Sequence, residues 1–189
     1  MSPTPIPGPK LGDFFVTRGT GTDWRTQLMC FVIQFGTASN VNHAGVFVGD
    51  GQVVEARPGG AGFAPVSDYL GHNTKWSSLP LTDMQRSVIN AQARSVIGTP
   101  YGWLDCAAVA VAQKRLGSHL DVTKPLDEQP WWYRRIARQD RLICSELVDL
   151  VHYRADVHLF DDGRPFGLVS PADLERIINV GHTIQGLTP

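Results

Sequence analysis

The chain has 189 residues, 42% of them hydrophobic and 19% charged, with a formal net charge of -1. That length suits one domain able to bury its own core without disulfide or metal staples, and the charge balance gives no footprint for nucleic acid or an anionic membrane. Cys30, Cys106 and Cys144 are odd in number and lack CxxC spacing, which argues against a disulfide framework or a zinc site and for reduced thiols.

Residues 1–10 hold Pro3, Pro5, Pro7 and Pro9 and no apolar stretch, so they read as an extended arm and not as a signal peptide, with synthesis in the cytoplasm and the final destination open. Residues 11–189 read as a single domain, without internal repeats and without an apolar run near the roughly 20 residues of a membrane span. A first strand is expected over Leu11–Thr17. A helix capped by Asp23 follows, with Trp24, Leu28, Phe31, Val32 and Phe35 at helical spacing and Gly36 as its stop.

Two alternating apolar runs then flank Gly49-Asp50-Gly51 between His43 and Ala56, the strongest short-range hairpin signal in the chain. Residues 57–63 are rich in turn formers, Ser67–Leu70 suggests a short helical turn, and Trp76–Leu81 suggests a strand that Pro80 confines to an edge or an end. Thr82 and Gln85 form a capping-box pattern for a helix whose apolar side includes Val88, Ala91 and Ile97 and which stops at Gly98.

After the break Gly98-Thr99-Pro100-Tyr101-Gly102-Trp103, Leu104–Leu116 suggests a buried helix. Residues 117–141, with Pro125, Pro130 and Trp131-Trp132-Tyr133-Arg134-Arg135, read as a partly helical surface excursion. An amphipathic helix is expected over Cys144–Tyr153, with Cys144, Leu147, Val148 and Val151 on one face. Residues 161–165 form a turn. A terminal helix opens with Ser170 as N-cap, Pro171 at its first position and Asp173 at its third, ending near Asn179.

The chemistry-bearing residues cluster in two of these elements. A cysteine at a helix N-terminus feels unpaired backbone N–H groups and the positive end of the dipole, both of which favour thiolate. An imidazole beside it completes a pair that attacks a carbonyl and passes through an oxyanion to an acyl thioester, with the Cys144 N–H as an oxyanion donor. His43 is the candidate base. Glu55 is the candidate orienting carboxylate, provided the hairpin register puts it on the His43 face: a three-residue loop pairs Gly45 with Glu55 and makes His43 and Glu55 diagonal neighbours about 7–8 Å apart. A two-residue Asp50-Gly51 turn alone pairs Val46 with Glu55 and sends it to the other face.

His-Ala-Gly-Val-Phe-Val-Gly-Asp-Gly, Val-Val-Glu-Ala and Ile-Cys-Ser-Glu-Leu-Val, in that order, resemble the circularly permuted branch of the NlpC-type papain-like superfamily, which includes YiiX-like bacterial proteins and lecithin:retinol acyltransferase. The resemblance spans roughly residues 11 to 180 and takes in Gly12-Asp13, Gly98-Thr99-Pro100-Tyr101 and Ser170-Pro171-Ala172-Asp173-Leu174. It implies an α+β, permuted papain-like fold with an antiparallel sheet packed on the cysteine helix. It also implies a cysteine peptidase or amidase with Cys144 as nucleophile, His43 as base and Glu55 in the third polar role, where the acyltransferase members carry histidine. The implied partner is a peptide or acyl-group substrate, with cell-wall peptides suggested by the bacterial peptidases, and no cofactor or metal. A lipid acyltransferase or thioesterase of the same fold is the alternative enzyme. A non-catalytic binding or structural module, such as a phage particle component, is the alternative outside enzymes.

Cys106 competes with Cys144 because Pro100-Tyr101-Gly102-Trp103-Leu104-Asp105-Cys106 superficially resembles a peptidase cysteine motif, but no histidine strand follows it. Cys106 and Cys30 therefore read as packing. Tyr101 reads equally as a cleft wall or as packing. Trp131 and Trp132 read as a substrate-binding lip or as aromatics covering the core. His72, His119, His152, His158 and His182 show no ligand spacing and are expected to be exposed or satisfied.

Overall fold

The computed structural model describes residues 8–18, 40–71, 73–102, 140–164 and 166–185. The expected helices over 23–35 and 104–116, together with Cys30, Cys106, Trp131 and Trp132, lie outside these residues. The described part is α+β, a five-stranded sheet with three α-helices. The strands are β1 (Phe14–Thr17), β2 (His43–Gly49), β3 (Gln52–Arg57), β4 (Gly60–Pro65) and β5 (Thr74–Trp76), in the order β4-β3-β2-β1-β5 with every neighbour antiparallel. The helices are α1 (Asp83–Ser95), α2 (Cys144–Tyr153) and α3 (Pro171–Gln185). No helix among the described residues is long and apolar enough to cross a membrane.

The first strand starts three residues later than its sequence suggests. Gly12 adopts φ +82°, and Asp13 accepts from the Lys10 N–H at 2.8 Å and from Arg86 of α1 at 3.0 Å. Leu11 and Gly12 are thus spent on a turn that anchors the sheet to α1, with Arg86 also donating to the Leu11 carbonyl at 2.6 Å.

Residues 60–65 form a strand where turn formers suggested a loop. Only Pro58 and Gly59 turn the chain, and β4 then pairs with β3 along its whole length, from Arg57↔Gly60 to Gln52↔Pro65. Backbone pairing overrides the low strand propensity of Gly60 and Gly62. The Trp76–Leu81 strand moves the other way, because β5 covers Thr74–Trp76 and lies at the sheet edge. Beyond it, the Ser77 N–H donates to the Phe14 carbonyl at 2.8 Å and its hydroxyl accepts from the Phe14 N–H at 2.9 Å.

Strand alternation gives the sheet two faces. Phe14, Val16, Ala44, Val46 and Val54 face the main core, with Ile89 and Ala93 of α1, Leu147, Val148 and Val151 of α2, and Leu174 and Ile178 of α3. Phe15, Val53, Ala64 and Tyr69 form a second cluster with Phe47 and Trp76 packed against it. Gly45 sits on this second face, where a Cβ would come within 2.7 Å of the Phe15 ring and 2.9 Å of the Val54 carbonyl. No other residue fits there without displacing a strand.

The helix ends follow their cap chemistry. Thr82 and Gln85 form the expected reciprocal capping box on α1, which ends at Ser95 and reaches the φ +87° turn at Gly98. Ser170 and Asp173 cap α3 in the same reciprocal way, at 3.0 and 3.3 Å, and α3 runs on to Gln185, past the expected end near Asn179.

The α2 bounds match expectation, but its one-sided apolar pattern does not describe its surroundings. Every residue from Cys144 to His152 is buried, so the polar ones need partners inside the protein. The Ser145 hydroxyl donates to the Val169 carbonyl at 2.6 Å, tying α2 to the start of α3, and Glu146 accepts from the Ile143 N–H at 3.3 Å. His152, expected exposed or satisfied, is fully buried: its Nδ1 meets the Val148 carbonyl at 2.7 Å, while Nε2 has no hydrogen-bond partner among the described residues. Burial pushes its pKa down to about 4, so the ring is neutral at physiological pH.

Candidate active site

The hairpin brings His43 and Glu55 together by a route that combines both expected registers. Gly49 pairs with Gln52 across a two-residue Asp50-Gly51 turn, with Asp50 at φ +51° and Gly51 at φ +68°. Those left-handed angles suit the twist of a tight hairpin. A one-residue irregularity between Phe47 and Gly49 then resets the register, giving Phe47↔Val53, Val46↔Val54 and Gly45↔Glu55. The three-residue loop is thus corrected to a short turn plus a bulge, and the Gly45↔Glu55 pairing it was meant to provide is present. A bulge moves one strand by one residue and so restores the face that the short turn alone would lose.

On that face His43 Nε2 lies 2.6 Å from Glu55 Oε2, with the imidazole 16% and the carboxylate 3% exposed. The same carboxylate oxygen accepts from the Tyr69 hydroxyl, and Arg57 Nε lies 2.5 Å from Oε1. Arg57 Nη2 in turn donates to the Tyr69 oxygen. Tyr69 ends the 3₁₀ segment Val66–Tyr69, and its ring stacks on Phe15 at 4.1 Å between centroids. Phe15 can occupy that place because Gly45 leaves it room.

Cys144 reaches the imidazole from α2. Its interaction with His43 is among the causes that raise the imidazole pKa, and with Glu55 on Nε2, Nδ1 is the ring nitrogen that the carboxylate does not take. The lead into α2 is fixed by backbone bonds: Leu142 donates to the Pro100 carbonyl at 3.0 Å, and Gly102 donates to Leu142 at 3.1 Å. Thr99 is bound in turn to β4, accepting from the Ala61 N–H at 2.9 Å, and Gly98 donates to the Ala61 carbonyl at 2.9 Å. Gly60 makes this approach possible, because at φ +107° a Cβ there would stand 2.9 Å from the Thr99 oxygen. The Gly98–Gly102 segment is therefore a strut between the sheet edge and the residue pair before Cys144.

Electrostatics follow from these contacts. Burial works to lower the His43 pKa, but the hydrogen bonds to Cys144 and Glu55 and their charges outweigh it and raise it to about 9. Burial works to raise the Glu55 pKa, and His43, Tyr69 and Arg57 together bring it below the usual carboxylate value. Burial and the Glu55 charge push the Tyr69 phenol upward, so it stays protonated and donates. The arrangement can hold a thiolate beside an imidazolium whose far side rests on a fixed carboxylate.

Cys144, His43 and Glu55 are thus brought together as the sequence suggested. Tyr101 is 6% exposed and belongs to the main core, its backbone bridging Leu142. Tyr69 and Arg57 were missed. Arg57 follows Glu55 by two along β3 and so shares its face, a period-2 relation visible in the sequence. Tyr69 sits in a turn 14 residues from Glu55, and no local pattern announces its role.

A scan against protein-family models finds no match for this chain, and a search of curated proteins finds none either.

Proposed function

We propose that this chain is a cysteine hydrolase of the permuted papain-like, NlpC-type kind, cleaving an amide or ester through an acyl thioester on Cys144. The observation that carries the reading is the single line of contacts from Cys144 through His43 to Glu55. His43 Nδ1 takes the thiol proton. The sulfur attacks the substrate carbonyl carbon, a C–S bond forms, and the developing oxyanion meets the Cys144 N–H at the first position of α2, which has no partner within its own helix. As the tetrahedral intermediate collapses, the carbon–leaving-group bond breaks and the imidazolium gives its proton to the leaving amine or alcohol. Water then gives a proton to His43 and its hydroxyl to the acyl carbon, the C–S bond breaks, and the thiol is regenerated.

Glu55 holds the tautomer and balances the imidazolium, while Tyr69 and Arg57 fix the carboxylate and act on the reaction only through it. A small peptide amide, such as a cell-wall peptide, is the substrate class suggested by the sequence resemblance. Acyl transfer or thioester hydrolysis on a lipid substrate is the enzymatic alternative, since the same acyl-enzyme serves both.

A second reading is favoured by one observation: Cys144 is only 2% exposed. A binding or structural module with a silent thiol would keep the fold and bury the sulfur in this way. Labelling with limiting iodoacetamide separates the two. An enzyme labels at Cys144 well before Cys30 or Cys106, and His43→Ala slows that labelling; slow, indiscriminate labelling would support the module.

A further inference from the structure

Helix α2 carries a second ionisable group that the Cys144 chemistry does not use. Asp149 lies five residues beyond Cys144, about 7.5 Å along the helix axis and turned about 140° around it, so it looks into a different part of the molecule. It is 5% exposed. With Tyr153, His158, Phe160, Arg164 and Phe166 it lines a half-open cavity of about 440 Å³.

The charges around this cavity do not balance at Asp149. Arg164 is committed to Asp162, at 2.7 and 2.9 Å through Nε, and reaches Asp173 at the start of α3 at 3.3 Å. His158 lies 3.4 Å from Asp156. Asp149 has no hydrogen bond or ion pair among the described residues, and Asp161 adds a further exposed carboxylate to the lining. A buried carboxylate without a partner is unfavourable unless something neutralises it. Arg164 and His158 act on Asp149 only at a distance, and burial raises its pKa to about 6.

The walls suit a cation. Tyr153 meets His158 and Phe166 edge-on, at 4.9 and 5.0 Å between centroids, and half of Tyr153 is exposed. The Arg164 guanidinium lies 4.9 Å over the Phe160 ring, so one positive group already uses an aromatic face here. An anion attracted by Arg164 would meet Asp149, Asp161 and Asp162 together.

We propose that this cavity binds an organic cation, an ammonium or guanidinium group on an apolar stem such as the lysine or arginine side chain of a peptide, with Asp149 as its counter-ion. The stem lies against Leu159 and the rings, and the charge sits beside Asp149, which has no hydrogen bond or ion pair among the described residues. The inference is independent of the Cys144 reaction and stands if that reaction fails.

The test is an NMR titration of the full chain with Nα-acetyl-lysinamide and Nα-acetyl-argininamide, compared with uncharged Nα-acetyl-norleucinamide and anionic Nα-acetyl-glutamic acid amide. The expected result is saturable binding of a cationic probe with shifts at Asp149, Tyr153 and Phe160, at least tenfold weaker in Asp149→Asn and unchanged in Cys144→Ala. Tyr153→Leu, at a half-exposed wall position, should weaken the cation severalfold and covers the case in which the Asp149 variant does not fold. Undiminished lysinamide binding by folded Asp149→Asn, tighter binding of the norleucine or glutamate probe, or the absence of saturable cation binding would overturn the proposal.

Discussion

Glu55 and Asp149 are buried to almost the same degree, 3% and 5% exposed, yet their acidities move in opposite directions. Glu55 sits among His43, Tyr69 and Arg57 and is held below the usual carboxylate value, whereas Asp149 has no ion pair among the described residues and rises to about 6. The lesson is that partners, and not depth, decide what a buried carboxylate does. One site is a closed network assembled around an imidazole. The other is a charge left open toward a cavity.

The largest effect that sharpens this contrast belongs to the proposed nucleophile. Cys144→Ala should lower turnover by about four orders of magnitude or more, as loss of a nucleophile does elsewhere, while Cys30→Ala and Cys106→Ala should leave most of it, all measured as kcat/KM on one ester substrate. Equal activity in Cys144→Ala would remove the acyl-enzyme from the account.

Next is Glu55→Gln, which keeps a hydrogen-bond acceptor and deletes the charge. It should reduce kcat/KM about a hundredfold, less than Cys144→Ala. The pH profile carries the sign: His43 is held protonated up to about 9 partly by Glu55, so the alkaline limb of the wild type should fall near pH 9 and move to lower pH in the variant. The raised His43 pKa also contributes stability that is fully present below its ordinary value of 6.5 and is lost as pH climbs through 9. An alkaline limb at the same pH in both proteins would break the link between Glu55 and the base.

Asp149→Asn should do the opposite to stability. Folding raises the Asp149 pKa from 3.8 to about 6, so its contribution is fully present below 3.8 and is lost as pH rises through 6. At pH 7 the variant should therefore be more stable than the wild type, by up to about 3 kcal/mol in urea denaturation, with the difference closing near pH 4. A destabilised variant at pH 7 would mean that Asp149 has a partner after all.

The smallest effect is expected from Tyr69→Phe. Removing one donor from the Glu55 oxygen should lower kcat about tenfold, roughly 1.4 kcal/mol, with KM little changed, if Tyr69 acts through the carboxylate to which it donates. A change confined to KM would place Tyr69 in the binding surface instead.

Much of the site could be read from local patterns because each pattern reports a local energy. The Asp50-Gly51 turn, the Thr82 and Gln85 capping box, the Ser170 and Asp173 cap and the Cys144–Tyr153 helix are all set by residues within a few positions of one another. The bulge near Val48 was not legible, since loop length and face conflict in the sequence and only the three-dimensional pairing reconciles them. Strand β4 was hidden because Gly60 and Gly62 signal turns, and its register comes from its neighbour β3. The burial of α2 on every side, His152 included, reflects what packs around it, which its own spacing cannot record.

The central claim is that Cys144, activated by His43 on Glu55, becomes acylated. The direct test is intact-protein mass spectrometry of the chain quenched milliseconds after mixing with excess p-nitrophenyl acetate, with peptide mapping of the adduct. The account predicts a single acetyl group on Cys144 of the wild type, formed much more slowly in Glu55→Gln and at background level in His43→Ala. An acetyl group carried elsewhere, or acylation of Cys144 at an undiminished rate without His43, would contradict it.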